Sequence, residues 1–109
     1  MSFQISGQTT KISSIGTTPI TKPIANIDNL SEQIRIMAVD VNIVVKLGDD
    51  SVTASNTYTS DALPQGNFVI LAGAIEVFNV PTDATHISCV CEDGVSSGGT
   101  VWVNAGYGE

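Results

Sequence analysis

The sequence predicts an all-β protein: an antiparallel β-sandwich of jelly-roll-like form, preceded by an extended N-terminal arm. Three observations lead there. The composition favours Thr, Ser, Val, Ile, Gly and Asn over the straight-chain helix formers Leu, Lys, Glu, Arg and Gln. Apolar residues recur at every second position in several short segments, the period of a half-buried strand. Turn chemistry separates those segments, and no helical pattern intervenes.

Residues 1–29 read as the arm. They are rich in Thr, Ser and Ile, and carry Pro19 and Pro23, residues that cannot donate to a central ladder. Short edge strands are expected near Phe3–Ile5 and Lys11–Ile15. Ile12 and Ile15 break the period of two, which favours an arm over an ordinary first strand. The sandwich domain is expected over residues 30–109. A single helical turn is conceivable at Ile27–Ile34, with Asp28 or Ser31 as N-cap.

The next segments are more regular. EQIRIMAVD sets Ile34, Ile36 and Ala38 on one side. After it, Val41, Ile43, Val45 and Leu47 share a face opposite Asn42, Val44 and Lys46. Gly48-Asp49-Asp50 is a turn. A short strand is expected at Val52–Ala54, then a long polar loop ending at Gly66. NFVILAG and AIEVFNV are strands joined by a tight turn at Leu71–Ala74. Pro81–Ala84 is a turn, THISCVCE a strand, DGVSSGG a loop and TVWVNAG the last strand. In that last strand Trp102 and Thr100 oppose Val101 and Val103. The reading favours the core for Trp102, with an exposed interface anchor as the alternative.

The 109 residues suffice for one domain, and 42% are apolar, enough for a core. Four Lys and Arg against eleven Asp and Glu give a net charge of -7. The cations are scattered, so phosphate neutralisation and attraction to anionic lipid are both disfavoured. Nucleic acid and membranes are not expected partners. A partner surface that is neutral or basic fits the acidic balance. The first residues lack a basic n-region and an apolar h-region, and no apolar run is long enough to span a bilayer.

The segment HISCVCED holds the only histidine and both cysteines. Zinc needs about four converging ligands, usually seeded by a C-x2-4-C turn. In a strand, Ile87, Cys89 and Cys91 share one face, while His86, Ser88 and Val90 take the other. The histidine then lies across the sheet from the sulfurs. A Cys89–Cys91 disulfide is disfavoured by the geometry of alternate strand positions. Two small buried apolar residues are the simpler account. Asp49-Asp50 is better read as a solvated turn than a cation site. No catalytic constellation emerges, so no enzyme, metal or cofactor is expected. The candidates that remain are partner contacts: Phe3, Ile5, Ile12 and Ile15 along the arm, with Trp102 and Tyr107 near the end.

Taken in order, the segments VKLGDDSVTAS, SDALPQGNFVILAGAIEVFNVPTDATHISCV and GTVWVNAGYGE resemble small structural proteins of tailed bacteriophages. The resemblance runs from Glu32 to Glu109, and it rests on the order of the strings rather than on any one of them. It implies a cement (decoration, staple) protein: a β-sandwich or jelly roll, grouped as a dimer or trimer, made in the host cytoplasm and bound outside the virion capsid. Its partner would be the major capsid protein, whose neighbouring capsomers it would join. The alternatives are a tail or head-to-tail adaptor, or a fibre-type module that binds carbohydrate through Trp102, Tyr58 and Tyr107.

Overall fold

The computed structural model describes residues 4–5, 9–24, 33–80, 84–92 and 98–107, with backbone alone at 4, 5 and 107. Nine strands follow in chain order: β1 Gln4–Ile5, β2 Thr10–Ile15, β3 Ile20–Pro23, β4 Gln33–Val39, β5 Ile43–Gly48, β6 Phe68–Ile70, β7 Ile75–Asn79, β8 His86–Cys91 and β9 Gly99–Tyr107. They form two antiparallel sheets packed as a β-sandwich. The first sheet runs β1-β9-β4-β7, with β2 pairing the same edge of β9 as β1; the second runs β3-β8-β5-β6. Phe3, most of the expected turns at Ile27–Ile34 and Pro81–Ala84, most of the DGVSSGG loop and the 29/30 boundary lie outside the described residues; of the expected helical turn, Gln33 and Ile34 already belong to strand β4.

Alternation builds the core. Strand β4 buries Ile34, Ile36 and Ala38, and β9 buries Val101, Val103 and Ala105 beside them. Facing them, β5 contributes Ile43 and Val45 and β8 contributes Ile87, Cys89 and Cys91. Phe68 of β6 and Phe78 of β7 meet across the sandwich edge with ring centroids 4.3 Å apart. The expected facing of β4, β5 and β8 is therefore as the period of two dictates.

The edge strands expected near Phe3–Ile5 and Lys11–Ile15 are present as β1 and β2 along β9, and residues 20–23 form a further edge strand, β3. Two other expectations need correction. Ile12 and Ile15 are core residues, fully shielded from solvent, so neither is available to a partner. They are three apart yet both point inward because the register with β9 shifts between them. Ser14 sits there with φ 58°, and this β-bulge resets the parity of the strand. What looked like a failed period is a strand with one extra residue. Val52–Ala54 is not a strand, although Val52 and Ala54 are buried.

Close approach fixes one glycine. A Cβ on Gly99, where β9 begins, would sit 2.7 Å from Val41 Cγ2 and 2.9 Å from Ile43 Cδ1. At Gly73 the reason is conformational: φ is +82°, in the turn where Ala74 N–H donates to Leu71 O (2.9 Å).

Candidate interaction surface

The two sheets treat their outer faces differently. On the second sheet, Val44 and Val90 are buried although they point away from the main core. The long loop between β5 and β6 folds back over them, bringing Ala54 and Leu63. Polar groups fasten it down. Ser88 Oγ accepts from Ala54 N–H (2.8 Å), Asn56 Nδ2 donates to Cys91 O (2.8 Å) and Thr21 Oγ1 donates to Val52 O (2.7 Å). Asn67 Oδ1 accepts from Ser55 N–H (2.8 Å) and closes the loop on itself. At its start, Asp49 accepts from both the hydroxyl and the N–H of Ser51, which holds its carboxyl below the usual range. Further along, Tyr58 OH donates to Glu92 (3.1 Å), and that bond raises the phenol pKa.

No described segment covers the outer face of the first sheet in this way. The pairings align Lys11, Trp102, Met37 and Ile75 in one rank across β2, β9, β4 and β7. At about 4.8 Å between strands, that rank is about 14 Å long. The next rank sets Asn104 beside Arg35 and Arg35 beside Val77. Ile75 is 54% exposed and Val77 46%, while Trp102, Met37 and Arg35 are half-buried.

Local bonds orient this surface. Lys11 Nζ lies 5.0 Å from the centre of the Trp102 ring, within cation–π range. Arg35 Nη2 donates to Asn104 Oδ1 (3.2 Å), and Asn104 Nδ2 donates to Thr9 Oγ1 (2.6 Å). The strand ranks thus carry two of the chain's four basic residues and no acid. In a chain of net charge -7, this face is locally cationic and apolar. The acidic balance of the whole chain therefore does not describe its most exposed apolar face.

Of the candidate contacts, Trp102 belongs here. Its placement corrects the core expectation: Val101 and Val103 fill the interior, and Trp102 is half-buried on the opposite face of the strand, with Lys11 over its ring. Ile12 and Ile15 are withdrawn from the surface by burial. At the β1–β9 edge the backbone of Ile5 pairs with Gly106 and that of Tyr107 with Gln4; the side chains of Ile5 and Tyr107, like all of Phe3, lie outside the described residues. Sequence reasoning missed Met37, Arg35, Ile75 and Val77. The signal was present in the apolar residues on both faces of AIEVFNV, since a strand with one buried face has no need of the second set.

The HISCVCED segment holds no site of this kind. Cys89 and Cys91 are buried thiols not joined in a disulfide, and Cys91 Sγ donates to Ile15 O (3.1 Å). Burial pushes the Cys89 pKa up to about 12, so its thiol stays protonated through the neutral range. His86 Nδ1 shares a hydrogen bond with Thr85 Oγ1 (2.8 Å) on the far side of the strand. Among the described residues, no group of three His, Cys, Asp or Glu is placed to hold a metal ion. Nor is any described helix long and apolar enough to cross a membrane. The chain matches no family model, and a comparison with curated proteins finds no relative.

Proposed function

We propose that the chain is a non-enzymatic structural protein of a tailed-phage virion, which docks on the outer capsid surface and cements neighbouring capsomers. The observation that carries the docking is the uncovered rank Lys11–Trp102–Met37–Ile75, on a sandwich whose opposite face its own loop conceals. An aromatic anchor among apolar neighbours, rimmed by Arg and Lys, has the make-up of an interface centre. The capsid as partner rests on the resemblance of residues 32–109 to phage shell proteins. The strand orders β2-β9-β4-β7 and β3-β8-β5-β6 also follow the path of two interleaved Greek keys. We read them as jelly-roll-like, an architecture shared by viral shell and lectin domains. Fold alone does not assign function.

Co-sedimentation with purified capsids tests the reading directly. The expected result is saturable binding at a fixed number of copies per capsomer, lost in Trp102→Ala, and greater heat resistance of decorated capsids. Absence of binding, or capsids equally robust without the protein, overturns it.

The carbohydrate-binding alternative gains one observation and loses another. Trp102 is outward beside Asn104 and Arg35, as a sugar platform requires. Tyr58, however, belongs to the loop over the opposite sheet, so the two rings do not share a platform. Glycan-array binding that depends on Trp102 would favour this alternative over the capsid.

A further inference from the structure

We infer that β7 is a self-pairing edge, through which two copies of this chain join their first sheets into one. Each sandwich sheet has two edges, and three of the four carry features that discourage strand addition. Strand β2 is bulged at Ser14 and bears Lys11. Strand β3 is four residues long and contains Lys22 and Pro23. Strand β6 has only three residues. Strand β7, Ile75-Glu76-Val77-Phe78-Asn79, has no Lys, no Pro and no shift in its register with β4. Among the described residues, no strand pairs its other side.

The hydrogen-bond phase shows which groups that side presents. Ala38 N–H donates to Ala74 O (3.3 Å), and Ala38 O accepts from Gly73 N–H (2.9 Å). Ala38 therefore turns both backbone groups toward β7. In an antiparallel ladder this alternates along the strand. Ile36 and Ile34 do the same, opposite Glu76 and Phe78. Ile75, Val77 and Asn79 are then left with their N–H and C=O directed at the open edge.

Those three residues select a register. An antiparallel β7–β7 pair with Val77 opposite Val77 places Ile75 opposite Asn79 and Glu76 opposite Phe78. The edge-directed groups then meet one another, and the outer faces of both copies stay on the same side. A shift that centres the pair on Glu76 instead sets two carboxylates opposite each other, which is destabilising, and opposes groups that are already bonded to β4. The occupant is thus a second copy in one register. The combined sheet runs β2-β9-β4-β7-β7-β4-β9-β2, and both Trp102 ranks lie on one continuous face.

This inference does not depend on the capsid reading, because it is measured on the isolated protein. Sedimentation velocity across a concentration series should show a reversible monomer–dimer equilibrium. Val77→Lys opposes two cations at the axis and should abolish the dimer while leaving the circular-dichroism spectrum and melting curve of the monomer unchanged. Val77→Pro removes an edge-directed donor and should do the same; if it unfolds, Val77→Lys decides. Under mild oxidation Val77→Cys should give a covalent dimer and Ile75→Cys should not, since two Ile75 positions lie about four residues apart along the paired strands. A monomer at every concentration, or a dimer that survives Val77→Lys, overturns the inference. Cross-linking at 75 but not 77 overturns the register.

Discussion

Both sheets of this sandwich carry apolar side chains on the side away from the core, but only one hides them. On the second sheet, Val44 and Val90 lie beneath a loop that is hydrogen-bonded to Ser88, Cys91 and Thr21. On the first, Met37, Trp102, Ile75 and Val77 remain at the surface. The same chain buries one outer face with its own polypeptide, while no described segment covers the other. Loop length makes the difference: residues 49–67 are long enough to cross β5 and β8, whereas β4 and β9 receive no such cover from the described residues.

Substitution on the two faces tests that contrast most sharply. Val90→Asp places a carboxylate under the loop with no partner, and should cost at least about 4 kcal/mol, a large part of a small domain's stability. Ile75→Asp, at the exposed face, should change stability by no more than about 0.5 kcal/mol. Chemical denaturation of dilute protein measures both, and equal costs would erase the distinction between the faces.

Ser88→Ala should be the next largest. It leaves the Ala54 N–H buried without its 2.8 Å acceptor, a loss of about 1–3 kcal/mol. Faster amide exchange confined to the loop would show that Ser88 pins the cover rather than the core. Trp102→Ala should cost about 1 kcal/mol, well below the ~3–5 kcal/mol of a core aromatic. Its main effect should appear in partner binding.

The smallest effect concerns pH. Tyr58 is at the surface, and its bond to Glu92 favours the protonated phenol in the folded state. The folded value therefore lies above the unfolded one. The contribution is fully present below pH 10 and declines as pH climbs above it. The melting-temperature difference between wild type and Tyr58→Phe should be constant through neutral pH and shrink in that alkaline window. A difference that grows there instead would mean that the loop is not held at Glu92.

The sequence made the sheet interior legible wherever the period of two was unbroken. Ile34, Ile36 and Ala38, then Ile43 and Val45, then Ile87, Cys89 and Cys91 all face inward as their spacing requires. The inward facing of both Ile12 and Ile15 was not legible, because parity changes at Ser14 and a positive-φ serine leaves no compositional mark. Trp102 was misjudged for a different reason. Alternation divides β9 into two sets, and only the packed partner sheet decides which set is inside. Of the exposed face, only the β7 part left a signal in the sequence, because Met37 and Arg35 look like any solvent-side residues until β7 and β9 are set beside them.

Strand β9 has a consequence for how the molecule is made. It pairs with β4 on one side and with β1 and β2 on the other. Sheet closure therefore joins segments about ninety positions apart, and it waits until Tyr107 has left the ribosome. Such distant pairing belongs to the slow folders, completing in milliseconds to seconds. Until β9 arrives, β2 and the near side of β4 have no strand beside them, so the interval before closure is when this chain is most open to aggregation.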